Sequence, residues 1–209
     1  MRAGTLFVVA GPSGVGKGTV VRDVLSRIDE RLVLSVSATT RDPRPSEVEG
    51  VDYFFVDEDE FDRMIADGEL LEWAPIVGHR SGTPRSYVEQ QQRAGNDVLL
   101  EIDVKGAEQV RTLVPDAVLI FLEPPSMEEL ERRLRGRGTE SEERIALRLE
   151  TADREMGQRG WFDHVVVNDD LEHASSQVAA IIEASRVRFP DDPDQPMEDP
   201  SYDDRTQDR

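Results

Sequence analysis

The chain has 209 residues, with 44 acidic side chains against 25 basic ones and a formal net charge of −19. This length supports one compact domain, and the absence of cysteine excludes disulfides, thiolate metal sites and a cysteine nucleophile. The negative charge argues against a nucleic acid or an anionic membrane as a partner, because both require a basic surface.

The first predicted element is a strand over Leu6–Val9. Its apolar run suits a strand that is buried on both faces of a parallel sheet. The run is too short for a signal peptide and lacks a basic flank, and no later stretch is long enough to cross a membrane. We therefore expect a cytoplasmic protein.

A glycine-rich segment follows this strand and leads into a helix predicted from Gly16 to about Arg27. It fits the pattern G-x-x-x-x-G-K, in which backbone N–H groups and the helix N-terminus bind phosphates and the lysine reaches the β and γ phosphates. A glycine-rich turn without a ligand is the alternative, but such a turn does not need a lysine. The sequence therefore predicts a nucleoside triphosphate site made of Gly11, Pro12, Ser13, Gly14, Val15, Gly16, Lys17, Gly18 and Thr19.

One position in this loop departs from the usual pattern. The residue after the lysine is normally a serine or threonine that ligates Mg²⁺, whereas here Gly18 follows and Thr19 comes one residue later. We expect Mg²⁺ to be held mainly by phosphates and water, and we assign no protein residue as a metal ligand. The Lys-Gly-Thr ending is familiar among nucleoside monophosphate kinases, so it favours a small kinase over a GTPase or a motor.

Residues 35–84 are broken by prolines and glycines into short strand-like pieces such as Tyr53–Val56, with one helix predicted over Glu58–Ala66. We interpret this part as a mixed lobe inserted into an α/β core. Arg41 and Arg44 lie on an extended loop, because the prolines of that segment disfavour helix. Two guanidinium groups there could bind a phosphate, although surface ion pairs would also explain them.

The second half of the chain alternates apolar runs with segments of helical period. This alternation predicts a parallel sheet between two helix layers. The predicted strands are Val98–Ile102, Val118–Leu122 and Val165–Val167, and the predicted helices are Gly106–Val114, Met127–Leu134, Glu142–Met156 and Leu171–Arg186. Ser126 and Ser141 suit helix N-caps, with Glu129 as the capping-box partner of Ser126. Asp103 follows a strand, at the edge where open α/β sheets place their ligands.

Arginines crowd the segment from about residue 133 to residue 148. Like charges repel unless an anion joins them, and phosphoryl transfer needs such positive charge. We predict that this segment is a short lid that closes over the site and excludes water. Residues 187–209 are acidic and rich in proline, with few apolar side chains, so we expect a disordered tail.

Several of these segments, in this order, resemble the guanylate kinase family in its bacterial form. The motifs that carry the resemblance are residues 11–19, 37–44, 47–53, 69–74, 101–106, 133–141 and 165–169. The resemblance covers about Gly4 to Arg186 and implies the reaction of ATP and GMP to ADP and GDP with Mg²⁺, which supplies guanine nucleotides by recycling GMP. It also implies a domain at 4–184, with a core of 4–34 and 85–184, a GMP-binding lobe at 35–84 and a lid at about 133–148.

The same resemblance assigns roles to individual residues. Lys17, Arg133, Arg137 and Arg148 would be catalytic, Asn168 would contact adenine, Arg41, Arg44 and Tyr53 would bind the GMP phosphate, and Ser37, Glu72, Thr83 and Asp103 would bind guanine. Guanine presents an N1–H and a 2-amino group side by side, so the Glu72 carboxylate can accept from both, whereas adenine has no matching donors. Taken alone, Glu72 could also be a solvated glutamate, Asp103 a structural carboxylate and Asn168 a turn residue.

One departure from the family concerns the acceptor phosphate. Where the family often has Gly-x-Tyr-Tyr-Gly, with a tyrosine hydroxyl beside the GMP phosphate, this chain has Gly78-His-Arg80-Ser81-Gly82. Ser81, through a shorter reach, and Arg80, through its charge, are the candidates to replace that contact. Two other functions stay open: a kinase for AMP or dTMP, and a guanylate-kinase-like module that binds peptides without catalysis.

Overall fold

The computed structural model describes residues 3–76, 78–136 and 141–187 of the chain. Arg137 and the part of the predicted tail at 188–209 lie outside these ranges. In chain order the strands are β1 Leu6–Ala10, β2 Leu32–Leu34, β3 Ser37–Thr39, β4 Tyr53–Phe55, β5 Leu70–Ile76, β6 His79–Pro84, β7 Asp97–Glu101, β8 Val118–Glu123 and β9 His164–Val167. The helices are α1 Lys17–Arg27, α2 Glu58–Ala66, α3 Arg85–Arg93, α4 Val104–Leu113, α5 Met127–Gly136, α6 Glu142–Met156 and α7 Leu171–Val187.

The larger sheet is parallel and has the strand order β2-β7-β1-β8-β9. Its central strand β1 is at most 2% exposed at every residue, which explains its continuous apolar sequence. Phe7 and Val9 pack with α1 and α7 on one face, while Leu6 and Val8 pack with α3 and α4 on the other. The predicted α/β fold with a parallel sheet between helix layers is confirmed.

The smaller sheet has the order β4-β3-β6-β5 and is mixed. Strands β3 and β4 are parallel, whereas β6 runs antiparallel to both β3 and β5. Helix α2 packs on this sheet through a separate apolar cluster of Ala38, Phe61, Met64 and Leu70. The chain enters this layer after β2 and returns to the core at α3, so the predicted inserted mixed lobe is present.

Local capping explains where several helices begin. Asp57 accepts a hydrogen bond from the Glu60 N–H at 2.7 Å to start α2, and Ser141 accepts from the Arg144 N–H at 3.4 Å to start α6. Ser126 caps α5 as predicted, at 3.2 Å from the Glu129 N–H. The capping-box role of Glu129 is wrong, because both of its carboxylate oxygens accept hydrogen bonds from arginines further along α5.

The helices of the described ranges include none that is both long and apolar enough to cross a membrane.

Candidate active site

The loop between β1 and α1 has the backbone that phosphate binding requires. Gly11 has φ 150° and Gly16 has φ 103°, in regions that favour glycine. A side chain at position 11 would collide with the carbonyl oxygen of Leu122, and one at position 16 would lie 2.7 Å from Nδ2 of Asn168. Among the described residues no side chain caps α1, so its first N–H groups are available to an anion.

Lys17 lies at the first position of α1 and folds back over this loop. Its Nζ donates to the carbonyl oxygens of Gly11 at 2.6 Å and Pro12 at 3.3 Å. Burial lowers the pKa of Lys17, but nearby carboxylates act in the opposite direction and favour its charged form. These carboxylates belong to Glu101, Glu155 and Asp103. Sequence reasoning missed Glu155, which lies on α6, distant in sequence from the loop.

Three of the predicted residues, Asn168, Arg133 and Arg148, donate hydrogen bonds to the phosphate loop. Asn168 is 7% exposed and donates from Nδ2 to the Val15 carbonyl oxygen at 2.7 Å. Arg133 donates to the same carbonyl at 3.2 Å and to the Asn168 carbonyl at 2.9 Å, while Nη2 of Arg148 donates to Ser13 Oγ at 2.6 Å. The arginine-rich segment therefore contacts the phosphate loop at both of its described ends.

Glu101 explains the unusual glycine after the lysine. A side chain at position 18 would lie 3.2 Å from both carboxylate oxygens of Glu101, so Gly18 leaves room for that carboxylate beside the loop. A hard oxygen donor at this place suits Mg²⁺. Within the described ranges no group of three or more acidic or histidine side chains could hold a metal by itself. The Glu101 carboxylate could therefore supply one ligand to a magnesium ion beside the loop.

A second group of predicted residues meets at the junction of the two sheets. Glu72 on β5 is 5% exposed and accepts a hydrogen bond from Thr83 Oγ1 on β6 at 2.6 Å. Burial raises the pKa of Glu72 to about 7, and the Asp103 carboxylate adds to the shift. Asp103 caps α4 by accepting from the Gly106 N–H at 2.7 Å, so the structural role weighed for it is present. Its charge also acts on Lys17, which places this carboxyl pocket next to the phosphate loop.

Two residues that sequence reasoning did not assign complete this pocket. A side chain at position 106 would lie 2.8 Å from Oε2 of Glu72, so the glycine leaves the room that the Glu72 carboxylate occupies. Gln109, one helical turn further, accepts from the Trp73 N–H at 3.2 Å and donates to the Trp73 carbonyl oxygen at 3.0 Å. The spacing of Gly106 after Asp103 was the available signal, whereas no pattern pointed to Gln109.

The predicted acceptor-phosphate residues lie on or after strands β3 and β4, and β4 is the edge of the mixed sheet opposite β5. The Arg41 guanidinium is 4.7 Å from the Tyr53 ring centroid, and it donates two hydrogen bonds of 2.7 Å to the Glu47 carboxylate. Glu47 also accepts from the Arg44 N–H at 2.8 Å, while the Arg44 side chain is 74% exposed. The pKa of Glu47 is lowered to about 2, mainly by the hydrogen bonds from the Arg41 side chain and next by the one from the Arg44 backbone. Ser37 pairs with Tyr53 in the register of β3 and β4.

The hydrogen bonds of Ser81 and Arg80 turn neither side chain towards the place of the missing tyrosine contact. Ser81 Oγ donates to the Ala38 carbonyl oxygen at 3.2 Å. Arg80 is bound by carboxylates of α2, Glu58 and Asp62. The idea that Arg80 lends its charge to a phosphate is therefore not supported.

A phosphate loop next to a buried carboxyl pocket brings two binding sites together, as a transfer between two nucleotides requires. With the α/β core and the inserted lobe, this arrangement defines the class of P-loop nucleoside monophosphate kinases. A family model described as guanylate kinase matches residues 3–185. The chain belongs to the guanylate kinase family.

Individual relatives agree with this assignment. A guanylate kinase from Thermobifida fusca is 55% identical over 179 residues, which are 86% of this chain and 91% of the relative. One from Thermus thermophilus is 55% identical over 185 residues, 88% of this chain and 83% of the relative. The crystal structure of guanylate kinase from Anaplasma phagocytophilum aligns with a TM-score of 0.68 at 35% identity, covering 88% of this chain and 87% of that one.

Proposed function

We propose that this protein transfers the γ-phosphoryl group of ATP to GMP, giving ADP and GDP and so supplying guanine nucleotides in the cytoplasm. The observation that carries the proposal is the buried Glu72 carboxyl beside Thr83 and Asp103. When Glu72 is ionised it can accept from both the N1–H and the 2-amino group of guanine. A base without these donors would leave a buried carboxylate unpaired, which disfavours it.

The donor half of the site is proposed to bind ATP at residues 11–19. Lys17 would leave its two carbonyl partners for the β and γ phosphates, and Arg133 and Arg148 would supply positive charge to the transferred group. Arg137, which lies outside the described residues, is assigned the same role by family resemblance. Asn168 would position the loop beside the adenine. Bound Mg²⁺ would neutralise phosphate charge next to Glu101.

The acceptor half is proposed to bind the GMP phosphate at Arg41, Arg44 and Tyr53, with Ser37 nearby. A phosphate offers the Arg41 guanidinium the same bidentate geometry that the Glu47 carboxylate now occupies. The exposed Arg44 side chain needs little rearrangement to join it. The GMP phosphate then attacks the γ-phosphoryl group directly, and no covalent enzyme intermediate is required.

Substrate choice tests the proposal. Initial rates of phosphorylation of GMP, AMP and dTMP with ATP and Mg²⁺ are expected to favour GMP by at least about 100-fold in kcat/KM, as a pair of charge-assisted hydrogen bonds would produce. A preference for AMP or dTMP would contradict it.

Lys17→Ala tests the phosphate loop. We expect a fall of about 100-fold or more in kcat for GDP formation, the size seen when one preorganised charge is removed from a transition state. The matched control is Lys105→Ala, which removes the one other lysine of the chain and should keep wild-type activity. Undiminished activity of Lys17→Ala would remove Lys17 from the mechanism, whereas a wild type without activity would favour a binding module.

A further inference from the structure

Arg80, one of the two residues that depart from the family pattern, connects the mixed sheet to α2. It lies on β6, and its side chain is 19% exposed. Nη1 donates to Oδ1 of Asp62 at 2.5 Å, and Nη2 donates to the Glu58 carbonyl oxygen at 2.9 Å and also to the Glu58 carboxylate. The guanidinium lies over the Phe61 ring, with Cζ 4.8 Å from its centroid. Both terminal nitrogens are therefore bound by one helix.

The backbone of Arg80 holds the start of the loop that carries Arg41. Its carbonyl oxygen accepts from the Thr40 N–H at 3.1 Å and from Thr39 Oγ1 at 3.0 Å. Its N–H donates to Thr40 Oγ1 at 2.9 Å. The pKa of Glu58 is lowered, first by the Thr40 hydroxyl and then by the Arg80 guanidinium. Thr40 is thus fixed to the backbone of Arg80, whose side chain binds α2, and Arg41 is the next residue in the chain.

Stability alone does not account for this arrangement. Asp62 and Glu58 are 68% and 61% exposed, and ion pairs with such exposed partners contribute little to folding. Nε of Arg80 is buried with no hydrogen-bond partner among the described residues, which is unfavourable. What the planar guanidinium provides is geometry, since its two terminal nitrogens bind two carboxylates in one orientation.

We propose that Arg80 is a positioning residue for the acceptor phosphate: by fixing Thr40 and β6 to α2, it sets the place of Arg41 without touching the substrate. This inference rests on the proposed function, because it takes Arg41 as a GMP phosphate ligand. In this chain an arginine bound to α2 stabilises the loop beside the position where the family often has a phosphate-binding tyrosine.

The test is steady-state kinetics of Arg80→Gln, Asp62→Asn and the double variant at a temperature where circular dichroism shows all of them folded. We expect Arg80→Gln to raise KM for GMP about tenfold, less than the about 100-fold loss that a 1 Å misplacement can cause, because the guanidinium acts on Arg41 only through Thr40 and β6. Its kcat and KM for ATP should stay within about twofold of wild type. Asp62→Asn should also raise KM for GMP, and the double variant should resemble Arg80→Gln, because the two side chains act together.

Controls separate this role from its competitors. Arg63→Gln breaks an exposed pair with Glu60 on the same helix and should leave KM for GMP unchanged. Arg80→Lys keeps the charge without the planar geometry and should keep KM raised. Restoration of wild-type KM by Arg80→Lys, or an unchanged KM in Asp62→Asn, would overturn the proposal in favour of direct charge attraction. An unchanged KM in Arg80→Gln would overturn it as well.

The proposed function and this inference fail in different ways. If the wild type does not phosphorylate GMP, the function is wrong. If the wild type is active and Lys17→Ala is not, while Arg80→Gln is kinetically normal, only the role of Arg80 is wrong.

Discussion

At the scale of single residues, the most informative side chain is Glu72. Its pKa is raised from 4.5 to about 7, mainly by burial. The folded chain therefore binds this proton more tightly than the unfolded chain does. The stability that the proton provides is complete below about pH 4.5 and is lost as the pH rises to about 7, a loss of about 3 kcal/mol. Catalysis needs the opposite state, because only the ionised carboxylate accepts from guanine.

Glu72→Gln should separate these two effects. Between pH 5 and pH 8 the wild type should lose about 3 kcal/mol of unfolding free energy that the variant keeps, measured by urea titration. The variant should lose about 100-fold in kcat/KM for GMP, because glutamine presents an N–H group where guanine needs an acceptor.

The pH profile gives a second measurement of the same residue. For the wild type, kcat/KM for GMP should rise with pH through about 7, the value to which the pKa of Glu72 is raised. The control Glu69→Gln changes an exposed glutamate immediately before the same strand and should behave as wild type. A wild-type profile that is flat from pH 6 to pH 8 would refute the assignment.

At the scale of elements, a strong hydrophobic periodicity was sufficient to predict where a helix begins and ends. The predicted bounds of α2 and α6 are those of the structure, because each has a capping side chain at its start and a clear apolar face. Strand β2 and helix α3 were not predicted. The strand has three residues, and α3 is a polar helix with Val88 as its buried residue, so neither has a pattern to detect.

The edge strand β5 depends on a contact between elements. The Gln109 amide on α4 binds both the N–H and the carbonyl of Trp73, as a neighbouring strand would, one residue after Glu72. Gln109→Leu should lower the free energy of unfolding by about 1–3 kcal/mol, because two backbone groups lose their partner. Urea titration checks this, with Thr112→Ala on the exposed side of α4 as the control that should stay within about 0.5 kcal/mol. Equal effects of the two substitutions would mean that the amide contributes nothing.

At the scale of the whole molecule, a buried ion pair fastens the last helix to the sheet. Asp97 at the start of β7 is 5% exposed, and it accepts from Arg186 Nε on α7 at 2.7 Å and from the Thr5 N–H at 2.7 Å. Asp97 thus joins segments that are far apart in the sequence. Among the described residues, many other ion pairs are exposed and join residues three or four positions apart in one helix.

Asp97→Asn should therefore lower the free energy of unfolding by about 1–3 kcal/mol, since it removes the buried partner of Arg186 and leaves that guanidinium with the half-exposed Asp29. Glu89→Gln, which removes the exposed pair with Arg93, should change the unfolding free energy by less than about 1 kcal/mol. Thermal or urea unfolding of both variants gives the comparison, and similar losses in the two would show that burial does not strengthen the Asp97 contact.

The phosphate loop, the strands and helices with a strong pattern, and the family were determined by the sequence alone, because each depends on motifs whose residues are close together in the chain. Tertiary structure decided the rest. In the fold, Glu72 is buried beside Thr83 and Gly106. The Arg41 guanidinium binds the Glu47 carboxylate, and the Arg80 side chain binds α2. Burial, pKa and the choice among many possible carboxylate partners depend on which distant segments meet, and spacing along the chain carries no information about that.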